Sequence, residues 1–242
     1  MRIPRIYQTQ RLAENSRITL EEGAARHVAR VLRLGPGAPL RLFDGRGGEY
    51  AATIVESDKR EVNVAVGNFT EVEVESTLSL TLAQGISKGE RMDFTIQKAV
   101  ELGVQRIVPL QTERSVVNLK GERRNKKLEH WRGVIISACE QCGRNTLPEL
   151  LPMQSLSSWL EKPRQGSGLL LDHRADSTID SLSRPDAVTL LIGPEGGLSE
   201  GERQQARAAG YTGLRLGPRV LRTETAALTA LAALQSRWGD LA

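Results

Sequence analysis

The chain has 242 residues, of which 39% are hydrophobic and 26% charged, with a formal net charge of +4. That balance excludes a disordered chain, no apolar run approaches the roughly 20 residues needed to cross a bilayer, and the start has no secretory stretch; one large or two small domains in the cytoplasm are expected. Charge is held unevenly, since residues 1 to 46 carry 9 Lys/Arg against 4 Asp/Glu and residues 77 to 144 carry 12 against 7, while 47 to 76 carry 2 against 7; two basic blocks suit a polyanionic partner.

From Arg17 to Phe69 the pattern predicts short strands at Ile18 to Leu20, Leu40 to Phe43, Tyr50 to Val55 and Val62 to Val66, with turns at Gly35-Pro-Gly37 and Asp44 to Gly48. One helix, about Gly23 to Leu34, interrupts them. The segment reads as a small β-barrel. On the helix, Arg26, Arg30 and Arg33 fall at i, i+4, i+7, and Arg2, Arg5 and Arg11 add to the same basic block. A solvated face explains such a stripe as well as RNA does. His27 is at most a substrate contact. The acidic strip Glu71, Glu73, Glu75 alternates with Val72 and Val74, as an edge or linker would.

From Leu78 onward strands and helices alternate. Leu78 to Leu82, Ile107 to Leu110, Leu169 to Leu171, Val188 to Ile192 and Leu214 to Leu216 are strand-like. Met92 to Leu102, Lys126 to Gln141, Glu200 to Ala209 and Thr225 to Trp238 are helix-like. The alternation predicts an α/β fold with a mostly parallel sheet. Lys88, Arg91 and Lys98 lie around the start of the first of these helices, Arg114 follows a strand, the run Lys120 to Lys127 holds five basic residues, and Arg144 follows a helix end. Cys139 and Cys142 form a CxxC inside a helical run without the further ligands that zinc needs, so ordinary reduced thiols and no metal are expected. The last helix, rich in Ala and Leu, must be buried against the sheet or against a partner subunit.

Two glycine-rich turns stand out, GPEGGLSEGE at Gly193 to Glu202 and LGPRVLRTETA at Leu216 to Ala226. Each joins a strand-like run to a helix-like one, the edge where open α/β sheets hold ligands. A tight strand-helix connection is the plainer explanation. Ser199 and Glu202 form a capping box that fixes the next helix start. Neither GxxxxGK[ST] nor GxGxxG occurs, and Glu195 would repel a phosphate, so a neutral or cationic ligand is favoured. Arg222 and Glu224 are close enough in sequence to pair on the surface, a contact worth about 0 to 1 kcal/mol.

KGERMDFTIQKAVELGV (Lys88 to Val104), TERSVV (Thr112 to Val117), ACEQCGR (Ala138 to Arg144), LLIGPEGGLSEGE (Leu190 to Glu202) and LGPRVLRTETA resemble the ribosomal RNA small-subunit methyltransferase E family. HVARVLRLGPG (His27 to Gly37) and LFDGRGGEY (Leu42 to Tyr50) resemble its N-terminal domain, and the resemblance runs over nearly the whole chain. It departs at Cys142, where serine is expected. The resemblance implies a PUA-like β-barrel over residues 1–72 and, over 73–242, a SPOUT-type α/β domain with a C-terminal trefoil knot, usually in a homodimer. It also implies S-adenosylmethionine as methyl donor and N3 of one uridine in 16S rRNA, on the 30S subunit, as acceptor.

Carried over by position, the cofactor site is Leu170, Leu171, Ile192, Gly193, Pro194, Glu195, Gly196, Leu216, Gly217, Val220, Leu221 and Arg222. The RNA contacts are Arg5, Arg26, Arg30, Arg33, Lys88, Arg91, Lys98, Arg114 and Arg144. Arg222 is expected to stabilise negative charge on the uracil oxygens, with Glu195 or a water taking the N3 proton. A knotted methyltransferase acting on tRNA or on a ribose 2′-hydroxyl, and an RNA-binding assembly factor without catalysis, are the competing readings.

Overall fold

The computed structural model describes residues 3–58, 61–116 and 121–241, so Arg2, Val117 and Lys120 lie outside the described residues. The chain divides into two compact units, residues 1–75 with 139–147, and residues 76–138 with 148–242. The sequence offers a boundary near residue 72 but gives no sign that 139–147 returns to the first unit. That return is built from polar pairing across long separations. Arg5 pairs with Glu49 and donates to the carbonyl of Arg144 (2.9 Å) and to Asn145 Oδ1 (2.7 Å). Arg144 is in turn paired with Glu75, and Glu140 accepts from the Tyr7 amide at 3.0 Å.

The first unit contains β1 (Arg5–Tyr7), β2 (Arg17–Thr19), α1 (Glu22–Arg26), β3 (Pro39–Phe43), β4 (Glu49–Ser57) and β5 (Val62–Thr70). The strands run in the order β1-β3-β4-β5-β2, antiparallel except for the β1/β3 pair. Alternation along β5 sends Val62, Val64 and Val66 inward, where they meet Leu40, Leu42, Ile54 and, from α1 and the turn after it, Ala25 and Val28. The helix expected over 23–34 is shorter and irregular. After Arg26 it widens into a π-helical turn, His27–Val31, and Arg33 takes a left-handed φ of 54°. A π turn bonds i to i+5, so the 3.6-residue register that would align Arg26, Arg30 and Arg33 in one row does not apply.

The second unit holds β6 (Ser79–Gly85), α2 (Glu90–Glu101), β7 (Arg106–Gln111), α3 (Gly121–Cys142, whose last turn belongs to the first unit), β8 (Glu149–Leu150), β9 (Gln154–Ser155), α4 (Leu156–Leu160), β10 (Ser167–Leu171), β11 (Ala187–Ile192), α5 (Glu200–Ala208), β12 (Tyr211–Leu214) and α6 (Thr223–Trp238). Its seven strands are all parallel, ordered β12-β10-β11-β6-β7-β8 with β9 also on β7. Strands covered on both faces read as continuous apolar runs, which is why Val188 and Leu190 to Ile192 are all buried. The last strand ends at Leu214 and not at Leu216, so more of the second turn is free.

The buried face of α6, Ala227, Ala230, Leu231 and Leu234, follows i, i+3, i+4, i+7 and packs on α2, β6 and β11. Each leucine buried there stabilises by about 1.5–3 kcal/mol. The last helix is therefore buried within its own unit. Among the described residues no helix is long and apolar enough to cross a membrane.

Candidate active site

Parallel strands direct their carboxyl ends to one edge, where β6, β10, β11 and β12 end at Gly85, Leu171, Ile192 and Leu214. There the turns after β11 and β12 face one another across a cavity of about 430 Å³. Leu170, Leu171, Ile192, Leu214, Leu216 and Leu221 supply its apolar wall, and Gly193 to Gly197 expose backbone to it. Eleven of the twelve positions expected at the cofactor site line this cavity; Gly217 does not, although its φ of 69° bends the same turn.

The two turns are tied together by a residue whose place beside the last helix suggests, with Thr225, only a cap. Thr223, at the start of α6, donates its hydroxyl to the carbonyl of Gly193 at 2.7 Å and accepts from Gln84 Nε2 at 2.9 Å. Gln84, fully buried at the end of β6, also donates to the Gly85 carbonyl at 3.0 Å. The turn after β11 then passes so close to β6 that a Cβ on Gly85 would sit 2.5 Å from the Pro194 nitrogen. Only glycine fits there. On the far side of that turn the capping box forms as the sequence predicts, with Glu202 N to Ser199 Oγ at 3.2 Å and Ser199 N to Glu202 Oε2 at 2.8 Å. The second oxygen of Glu202 accepts from the amide of Glu113 at 2.8 Å, fixing the loop that carries Arg114.

Six arginines (Arg91, Arg114, Arg174, Arg203, Arg219, Arg222) and three carboxylates (Asp172, Glu195, Glu224) line the cavity. The rim is therefore cationic. Two of the carboxylates are already occupied: Asp172 accepts from the Arg174 amide at 3.0 Å and pairs with Arg207 at 3.1 Å. Glu195 Oε1 accepts from the Lys88 amide at 2.9 Å and from Arg91 at 3.0 Å. Burial pushes the Glu195 carboxyl upward, but the Lys88 amide, its own amide and Arg91 outweigh this and hold it below the usual range. A carboxylate so stabilised as an anion is a poor proton acceptor. The geometry makes Glu195 a brace between the turn and the start of α2. Arg222 is exposed, makes no ion pair with Glu224, and stands at the rim. Glu224 Oε2 is buried without a hydrogen-bond partner.

The expected RNA contacts fall into three groups. Arg91 and Arg114 are at the cavity, beside Lys88. Arg26, Arg30 and Arg33 are exposed on the first unit, Arg26 paired with Glu22, while Lys98 is half-buried and paired with Glu101 on its own helix. Arg5 and Arg144 correct the expectation: their side chains are only 9% and 4% exposed and are consumed by Glu49 and Glu75. Pairing partners 44 and 69 residues away carry no local signal. Cys139 and Cys142 are free thiols, and burial pushes Cys139 up to about 12, the mark of an unreactive one.

Comparison with known proteins matches residues 74–235 to an RNA methyltransferase domain and residues 20–66 to an RNA methyltransferase PUA domain. The ribosomal RNA small subunit methyltransferase E of Buchnera aphidicola from Schizaphis graminum is 36% identical over 99% of this chain and 98% of its own. The chain belongs to the ribosomal RNA small subunit methyltransferase E family. The family member of Bacillus subtilis is 28% identical over 93% of this chain and 92% of its own. Among solved structures, Lpg2936 of Legionella pneumophila, in complex with bound cofactor SAM, superposes with a TM-score of 0.97 at 43% identity, covering 100% of both chains. The family enzyme of Neisseria gonorrhoeae, bound to S-adenosyl methionine, gives 0.95 at 40% identity, again over 100% of both. The second unit thus has the SPOUT-type α/β fold of this family.

Proposed function

We propose that this chain transfers a methyl group from S-adenosylmethionine to N3 of one uridine in 16S rRNA, on the assembled 30S subunit in the cytoplasm. The observation that carries the reading is the cavity between the two glycine-rich turns, with an apolar wall and an arginine rim. Its volume lies within the roughly 300–1,000 Å³ of small-molecule sites. The residues present fit this cofactor: leucines and isoleucine to enclose adenine, open backbone at Gly193 to Gly197, and an unspent buried oxygen on Glu224 for positive charge. Leu170, Leu171, Ile192, Leu216 and Leu221 would hold the adenosine. When bound, the cofactor supplies an electrophilic methyl group and leaves as a neutral thioether.

Uridine N3 must lose a proton as it gains the methyl group, and charge spreads to the uracil oxygens. That charge is assigned to Arg222, a reading supported by its exposed place on the cavity wall with no ion pair among the described residues. Glu195 is already braced by Lys88 and Arg91, so the proton is assigned to water. Arg91 and Arg114 hold RNA phosphates near the rim, and the exposed Arg26, Arg30 and Arg33 hold others, as salt-dependent contacts poor in sequence information. A homodimer and a knotted path through the turns after β11 and β12 belong to the same reading. The test is incubation with methyl-labelled S-adenosylmethionine and either 30S subunits or tRNA, followed by mass mapping. Label at N3 of a single 16S uridine supports the reading; label on tRNA, on a ribose hydroxyl, or nowhere overturns it.

A further inference from the structure

Glu224 is the one carboxylate of the cavity whose buried oxygen has no partner. Asp172 pairs with Arg207, and Glu195 Oε1 accepts from the Lys88 amide and Arg91, whereas Glu224 Oε2 is buried and accepts no hydrogen bond. Burying a charged oxygen unpaired is costly, and a position in the first turn of α6 offsets only part of that cost through the helix dipole. A carboxylate on a cavity wall whose buried oxygen finds no partner in the chain marks a place where a cation from outside the chain belongs, met by the part of the group that faces the cavity.

Several backbone acceptors nearby are already engaged. The carbonyls of Gly193, Pro194 and Gly196 already receive Thr223, Gly197 and Arg114, and that of Leu214 receives Asp172. A ligand ammonium entering this cavity finds Glu224, while a ligand carboxylate finds arginines, of which Arg91, Arg114 and Arg203 are already engaged and Arg219 and Arg222 are exposed. Resting on the reading that the cavity takes S-adenosylmethionine, we propose that Glu224 binds the α-ammonium group of its amino-acid end. The sulfonium is the other positive charge available. It loses that charge during transfer, so a carboxylate against it would hold the ground state more firmly than the transition state and slow the reaction. The ammonium keeps its charge throughout, and a contact there anchors the cofactor without that penalty.

The test is calorimetric binding of S-adenosylmethionine, S-adenosylhomocysteine and methylthioadenosine, which lacks the amino-acid end, to the full-length wild type and to Glu224→Gln. The variant should bind the first two about 10- to 100-fold more weakly, by the same factor, and methylthioadenosine unchanged. A loss confined to S-adenosylmethionine would assign Glu224 to the sulfonium and overturn the proposal. An equal loss for all three ligands, a change in sedimentation coefficient marking an oxygen satisfied by a second copy, or no loss at all would each overturn it too. Failure of the wild type to bind any of the three would instead remove the cofactor reading itself.

Discussion

Replacing Thr223 with valine keeps the shape of the side chain and removes only the hydroxyl that ties the two turns. That hydroxyl makes two buried hydrogen bonds, to the Gly193 carbonyl at 2.7 Å and from Gln84 Nε2 at 2.9 Å. Neither partner is stranded, because Gln84 Nε2 keeps the Gly85 carbonyl at 3.0 Å and remains 3.4 Å from the Gly193 oxygen. The expected cost is therefore that of two net hydrogen bonds, about 1–3 kcal/mol, below the range for a stranded charge. If about 1 kcal/mol of it is spent in displacing the turn after β11, affinity for S-adenosylmethionine falls about 5-fold. All three tryptophans, Trp131, Trp159 and Trp238, lie in the second unit, so their fluorescence during urea unfolding reports on that unit alone. Thr223→Ser retains the hydroxyl and should stay much nearer the wild type. A urea midpoint for Thr223→Val equal to that of the wild type, or a serine variant as damaged as the valine one, would refute the tie.

Arg222→Ala should lower the methylation rate of 30S subunits about 10²- to 10³-fold, far more than it lowers cofactor affinity in calorimetry, with an unchanged melting temperature, since the side chain is exposed. For Glu195 the folded-state pKa is depressed, so its stabilising effect is complete at neutral pH and is lost as pH falls through the folded value, below the ordinary 4.5. The wild-type melting temperature should accordingly drop more steeply than that of Glu195→Gln below about pH 5, a difference that differential scanning calorimetry reads directly. On the first unit, Arg5→Ala should destabilise by about 1–3 kcal/mol, because it removes the donor to Glu49, the Arg144 carbonyl and Asn145 Oδ1 while Glu49 keeps Arg41 and Asn145 keeps the Val72 carbonyl, measured as lost amide protection there. Arg30→Ala should leave that protection intact while lowering the salt slope of RNA binding by about 1 in a filter-binding titration.

What could be read in advance followed from local signals. Ser199 and Glu202 lie three residues apart and announce a helix start; alternating strands and helices announce a parallel sheet; and glycine clusters after two strands mark the ligand edge. The features that escaped depend on pairing between distant residues. Gln84 and Thr223 are 139 residues apart, and Gln84 lies in an apolar run where an amide looks like an interruption of the strand. The same separation hid Arg5: an arginine near the start of a basic block reads as solvated until Glu49 and Asn145 enclose it. The π turn after Arg26 lacks a residue pattern of its own, so the i, i+4, i+7 spacing implies an α-helical register that the backbone does not keep. For the N3 proton the sequence leaves Glu195 and water open, and contacts from the Lys88 amide, the Glu195 amide and Arg91, which hold Glu195 as an anion, carry no local signal.

The return of residues 139–147 to the first unit has a consequence for how the chain is made. A ribosome releases residues in order, at roughly 5–20 per second. Residues 1–75 emerge early, yet Arg5, Tyr7 and Glu75 must wait for Arg144, Asn145 and Glu140 before their polar groups are satisfied. During that interval the intervening strands and helices β6, α2, β7 and most of α3 are also exposed, and their own sheet still lacks β10, β11 and β12. The first unit therefore cannot be completed by residues 1–75 alone, and a gene cut after residue 75 would yield a fragment in which Arg5 keeps Glu49 but lacks the Arg144 carbonyl and Asn145, and Glu75 lacks Arg144. In such an architecture a recombination breakpoint between residues 75 and 139 parts the first unit from the segment that completes it.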